Sequence, residues 1–233
     1  MPPSRTDEPS GTAQLDEQVR RADPDRWLAT RFIADPFARA DVITLYAYDS
    51  ELARAQRASA NPLIAEIRLT WWREALDEIF DGGPVRRHPV AEGLAGVVRR
   101  HGLPREPLEA MIDARIEALE IETFDVTLAE RWADQVGGSA ATLAGMILDP
   151  QGDPRQLRAA GRVWGLVLLL RAGKFTDTRV LRAAIAAATA PVDARLFPAI
   201  AHATLARADV SSIGGAALAK RLRLLLAVLR GRI

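Results

Sequence analysis

The chain has no cysteine, only three histidines, few aromatic residues and no excess charge of either sign. Without cysteine there is no disulfide, no thiolate metal site and no thiol nucleophile, a usage that fits a cytosolic protein. His88, His101 and His202 are far apart and show neither HxxxH nor HExxH spacing, which argues against a histidine-based metal centre. With 31 basic and 30 acidic residues the net charge is +1, so no global field favours nucleic acid. The longest apolar run, residues 163–170, lies between Arg162 and Arg171; a membrane span needs roughly 20 residues. The N-terminus carries Asp7, Glu8, Asp16 and Glu17 and no apolar stretch, unlike a secretory signal or a transit peptide.

What is present is helical pattern. The 233 residues are 48% hydrophobic, enough for one sizeable core. Asp23-Pro24, Asp35-Pro36, Asn61-Pro62 and Asp153-Pro154 each read as an N-cap followed by a proline in the first turn, and Thr127 with Glu130 reads as a capping box. These marks predict helices over 15–33 (broken near Pro24), 36–58, 62–80, 89–101, 105–122, 128–148, 154–174, 179–189, 193–208 and 215–230. No strand-like alternation, repeat or long linker intervenes. Residues 1–14, rich in Pro, Ser, Thr and Gly toward their start, are expected to be disordered, and residues 15–233 to form one all-α domain.

Charges placed on apolar faces mark the candidate site. In residues 61–80, at about 100° per residue, Ile64, Trp71, Trp72, Ala75 and Ile79 fall within roughly 60° of Arg68. A guanidinium buried there needs an anion. In residues 36–58 the same count sets Asp49 among Val42, Leu45, Tyr46, Leu52 and Ala53. Three arrangements fit: an Asp49–Arg68 ion pair fixing how the helices pack, two charges lining one cavity, or a rotated helix that releases one charge to solvent. The pair is preferred. Farther along, Trp164, Val167, Leu168 and Phe175 surround Arg171, which also suits a helix C-terminus where the dipole favours a cation. Gly161 and Gly165, one turn apart, permit a close helix approach, and Gly137-Gly138 permits a kink or close packing. No GxGxxG or GxxxxGK[ST] context accompanies them, which excludes nucleotide binding. The cavity or ligand candidates are Asp49, Arg68, Trp71, Trp164 and Arg171, with no metal ligand and no catalytic residue among them.

Five segments in order, LYAYDSELARA (45–55), IRLTWWREALDEI (67–79), HPVAEGLAGVVRRHGLP (88–104), ETFDVTLAERWADQVGGSAATLAGMIL (122–148) and GRVWGLVLLLRAGKF (161–175), resemble the squalene/phytoene synthase family over about residues 24–231. The resemblance implies the all-α isoprenoid-synthase architecture. It also implies an activity joining two prenyl diphosphates head to head, with Mg²⁺ held by two Asp-rich motifs. At the positions where those motifs should supply carboxylates, this sequence has Ala53, Arg54 and Arg57, then Ala172 and Thr176. Mg²⁺ takes hard oxygen ligands, which alanine and arginine do not offer, and without it the leaving diphosphate loses its main electrostatic assistance.

In these losses the sequence is similar to the degenerate branch of the family that includes the mitochondrial complex I assembly factor with a phytoene-synthase-like domain, here as a bacterial counterpart. The expectation is a non-catalytic binding or assembly factor, cytoplasmic or peripheral to the inner membrane, with no cofactor. One alternative is an active prenyltransferase with Mg²⁺ on relocated carboxylates such as Asp49, Glu51 and Glu74. Glu51, however, lies about 200° round the helix from Asp49. A second alternative is a metal-free isoprenoid or lipid binder, with Arg68 and Arg171 on the anion and Trp71 and Trp164 on the chain. Residues 216–231, AALAKRLRLLLAVLRG, combine leucine with basic residues and suit contact with an anionic membrane.

Overall fold

The computed structural model describes residues 10–57, 61–151, 153–187 and 192–205. Its centre is α3 (Pro36–Arg57), which packs against α1 (Ser10–Ala22), α2 (Pro24–Thr30), α4 (Pro62–Phe80), α5 (Pro89–His101), α6 (Arg105–Glu117) and α8 (Ser139–Leu148). Every α3 residue from 41 to 49 is buried. A helix covered on all sides should be apolar all round, yet this one carries Asp41, Thr44, Asp49 and Glu51 into the interior. Each of them is satisfied. Asp41 accepts from Arg100 and lies 2.8 Å from Nε2 of His101. Thr44 donates to the Ala40 carbonyl, and Glu51 accepts from Gln18 at 2.7 Å and from Arg54. Tyr46 and Tyr48 donate their hydroxyls to the carbonyls of Ala199 and Leu108.

The all-α architecture expected from the sequence is what forms, around one continuous apolar core. Helix starts follow the chemistry of the caps. Asp23, Asp35 and Asn61 accept from backbone N–H groups in the first turns of α2, α3 and α4. Asp153 caps a 3₁₀ turn, Pro154–Leu157, rather than an α-helix, and α9 (Arg158–Arg171) follows it. α7 (Val126–Ala133) is capped by Asp125, whose carboxylate accepts from Leu128 N–H at 2.8 Å, so the predicted Thr127 box is displaced by the acid just before it. α10 spans Thr178–Ala187.

Other expectations are corrected. α1 begins at Ser10, inside the segment read as disordered, and its Leu15 and Val19, one turn apart, are buried in the core. α6 ends at Glu117, not near residue 122. Beyond it the chain is held to the end of α9, with Phe124 N–H donating to the Lys174 carbonyl and Lys174 Nζ to the Ile121 carbonyl. Residues 193–205 form short 3₁₀ turns, Phe197–Ala199 and Ala201–Leu205, rather than an α-helix. Pro198 removes a donor there, and the local bonds close after three residues. Residues 206–233, with the predicted helix 215–230 and its membrane contact, lie outside the described residues.

Both readings of the glycines hold together. Asp134–Gly138 forms a π-helical turn between α7 and α8. At that turn Gly137 and Gly161 are so close that a methyl on either would run into the backbone of the other, and one on Gly165 would come within 2.6 Å of the Ala133 Cα. The widened turn lets the α7–α8 segment lie directly on α9.

Candidate functional site

The inner part of the site is a buried charge cluster around Asp49. This carboxylate, 5% exposed, takes one guanidinium on each oxygen: Arg26 of α2 on Oδ2 and Arg115 of α6 on Oδ1. Arg115 is 1% exposed and donates also to the Met111 carbonyl at 2.8 Å, and its guanidinium lies over the Trp132 ring. The Arg26 guanidinium lies 5.0 Å over the Tyr46 ring and 3.7 Å from Asp23. Asp23 also accepts from the Trp164 indole at 3.3 Å. Arg171, at the end of α9, reaches buried Asp25 at 3.0 Å and lies over the face of Trp164 at 4.8 Å. His202 closes the cluster, edge-on to Trp164 and Tyr46.

Charge balance explains the titration of this cluster. Burial alone would raise the Asp49 carboxyl, but Arg115 and Arg26 outweigh it and hold the group below the usual range. Burial raises Asp23, more than Arg26 and its backbone bond lower it. Burial drives the His202 imidazole well below its ordinary value, and Arg26 and Arg171 push the same way, so the ring is neutral.

The outer part lies on the opposite face of α3. A cleft of about 490 Å³ opens between α3 and α4, lined by Arg54, Ala55, Ile67, Arg68 and Trp71 and by His88 at the cap of α5. The His88 ring stands edge-on to Trp71 and Trp72, and Nδ1 accepts from Val90 N–H.

The Asp49–Arg68 pairing is overturned. Arg68 is exposed. The stripe of α4 that enters the core is Ala65, Leu69, Trp72, Ala75, Leu76 and Ile79, whose centre is about 50° from Arg68. Leu69 and Leu76 outweigh the residues that had drawn the face toward Arg68. The five sequence candidates therefore divide. Asp49, Trp164 and Arg171 belong to the inner cluster, and Arg68 and Trp71 to the outer cleft. Arg26, Asp23, Asp25, Arg115, Tyr46 and His202 were missed. Arg115 was detectable, since it continues the apolar stripe Leu108, Met111, Ile112 by the same angle count that singled out Arg68. Arg26 was not, because seven residues of α2 give too little periodicity.

The same geometry tests the fit to Mg²⁺. Both oxygens of Asp49 are taken by arginine. Glu51 is committed to Gln18 and Arg54, and Glu74 lies 3.3 Å from Arg86. These three carboxylates do not converge, and among the described residues no three acidic or histidine side chains form a group that would hold a metal. The donor set does not fit the ion.

Comparison with known proteins follows the same outline. The family model for squalene/phytoene synthase matches residues 19–177. The chain is 28% identical over 167 residues to the NADH dehydrogenase (ubiquinone) complex I, assembly factor 6, of Bos taurus, covering 70% of this chain and 49% of that one. It is 23% identical over 159 residues to the corresponding homolog of Dictyostelium discoideum, covering 66% and 44%. The chain thus spans about half the length of the curated relatives it matches. Among solved structures, a dehydrosqualene synthase in complex with ligand superposes with a TM-score of 0.72 at 12% identity, over 94% of this chain and 95% of that one. The squalene synthase HpnC from Alicyclobacillus acidocaldarius superposes at 0.63 and 15% identity, over 95% and 94%. At these identities the two structures speak to the fold alone.

Proposed function

The chain belongs to the squalene/phytoene synthase family, and we propose that it is a non-catalytic member that works as an assembly-type binding factor. The observation that carries this reading is that Asp49 is neutralised from both sides by Arg26 and Arg115. The turn of α3 beyond it presents Ala53, Arg54 and Arg57 where the family resemblance calls for acids. Metal-assisted departure of a diphosphate needs carboxylates free to hold the metal. Here the interior carboxylates hold the protein's own cations instead, and the reading requires no cofactor.

The likeness to relatives named as complex I assembly factor 6 supports a protein partner. Among the described residues no helix is long and apolar enough to cross a membrane. In this reading the chain acts in the cytoplasm, at the surface of the inner membrane. The test is incubation with farnesyl or geranylgeranyl diphosphate and Mg²⁺. The expected result is no squalene- or phytoene-type product above the protein-free blank. A rate within about tenfold of an active family member, a barrier difference of about 1.4 kcal/mol, overturns the proposal.

A further inference from the structure

α4 carries two apolar stripes and the core uses one of them. Ala65, Leu69, Trp72, Ala75, Leu76 and Ile79 face inward. Ile64, Ile67, Arg68 and Trp71 follow the i, i+3, i+4, i+7 spacing of a second buried face, yet Ile64, Ile67 and Arg68 are exposed and Trp71 is half-buried. Leu63 and Ile67 are each 61% exposed. A helix apolar on two sides is built to sit between two neighbours. The C-terminal half of α4 has its neighbours, through Arg105 with Asp77, Arg86 with Glu78 and Arg73 with Asp113. In the N-terminal half Trp71 meets His88 and, at 4.6 Å, the Arg86 guanidinium, while Ile64, Ile67 and Arg68 are left exposed among the described residues.

Charge names the missing neighbour. Among the described residues Arg68, which lines the cleft, and Arg57, in the adjoining hollow that shares Glu51 and Arg54 with it, make no hydrogen bond or ion pair, while the carboxylate in the cleft, Glu51, is already committed to Gln18 and Arg54. Glu66 lies about 150° away from the stripe. The surface is therefore aliphatic and aromatic with uncompensated cations, and it is concave. A cleft of about 490 Å³ accepts protruding side chains, whereas a bilayer would lie across its rim. We propose that the α3–α4 cleft docks an acidic amphipathic helix of a partner protein, its aliphatic ridge on Ile64, Ile67 and Trp71 and its carboxylates on Arg68 and, past the cleft's edge, on Arg57.

This inference rests on the assembly-type reading and is tested separately from it. The full chain is titrated with a synthetic helical peptide bearing leucine at i, i+3, i+4 and i+7 and glutamate on its flanks, and with a lysine-for-glutamate counterpart. The Trp71 indole N–H is followed by NMR. The glutamate peptide should shift that signal and bind at least about tenfold more tightly than the lysine peptide, equivalent to about 1.4 kcal/mol. Arg68→Glu should reverse the preference, and Ile67→Asp should weaken binding about tenfold with the melting temperature unchanged. No binding of the glutamate peptide, equal binding of both peptides or undiminished binding by the variants overturns the proposal. So does sedimentation with anionic phosphatidylglycerol vesicles that Ile67→Asp abolishes, which would make the face a lipid surface. None of these outcomes alters the condensation assay, so the two proposals fail independently.

Discussion

Asp49 is the residue on which the interior depends. It is the shared counter-ion of two buried guanidinium groups, so Asp49→Ala leaves Arg115 without an anion and Arg26 with only Asp23, 3.7 Å away. That change should cost about 3–5 kcal/mol of unfolding free energy. Replacing all three by apolar residues of similar size, as in Arg26→Met, Asp49→Leu and Arg115→Met, should cost much less, because neither guanidinium is then left buried without its anion. Urea denaturation of the single and triple variants measures both. Arg68→Leu, by contrast, should stay within about 0.5 kcal/mol of wild type in the same assay, as befits an exposed side chain.

A second residue-scale prediction concerns pH. His202 stays neutral in the folded protein because burial holds its imidazole well below the ordinary value. An unfolded chain protonates it near pH 6.5. The unfolded state therefore binds the extra proton. The His202 contribution is complete above about pH 6.5 and declines as pH falls, by up to about 1.4 kcal/mol per pH unit. His88, lowered chiefly by burial, acts in the same direction, and Asp23, raised by burial, opposes it. The measurement is thus a difference: His202→Gln should flatten the decline between pH 6.5 and pH 5 relative to wild type.

At the scale of elements, the contact of the π turn with α9 is the most sequence-dependent. Gly137 and Gly161 leave no room for a methyl between the two backbones. Gly161→Ala should destabilise the protein by about 3 kcal/mol, at the upper end of overpacking costs, and calorimetry would register it as a lowered melting temperature. Asp125→Ala should cost about 1 kcal/mol through the lost cap of α7, whereas Thr127→Ala should cost less. Helix existence was legible at this scale because Asp23, Asp35 and Asn61 act on their own first turns. The 3₁₀ geometry after Asp153 and around Pro198 was less so. There the pattern is too short to distinguish bonds closing after three residues from bonds closing after four.

At the scale of the molecule, two faces of α3 have different uses. One carries Asp49 toward a cluster sealed by Arg26 and Arg115; the other carries Arg54 and Ala55 to an open cleft. The interior of a fold shared with dehydrosqualene synthase is thus cross-linked by its own charges, and the surface retains an unmatched apolar and basic stripe. An assay that found no condensation product and a partner helix bound at α3–α4 would agree with both features.

The sequence by itself determined the all-α class, most helix starts and the family. Each rests on local periodicity, on a cap within the same turn, or on the order of several segments. It also identified Asp49 as a charge that needed a partner. Only the tertiary structure decided that the partners are Arg26 and Arg115 and that Arg68 faces solvent. A helix's angular count fixes which residues share a face. Which face turns inward, and what meets it, depends on the summed burial of all its neighbours, and rotating α4 by about 50° was enough to move Arg68 from the core to the rim of the cleft.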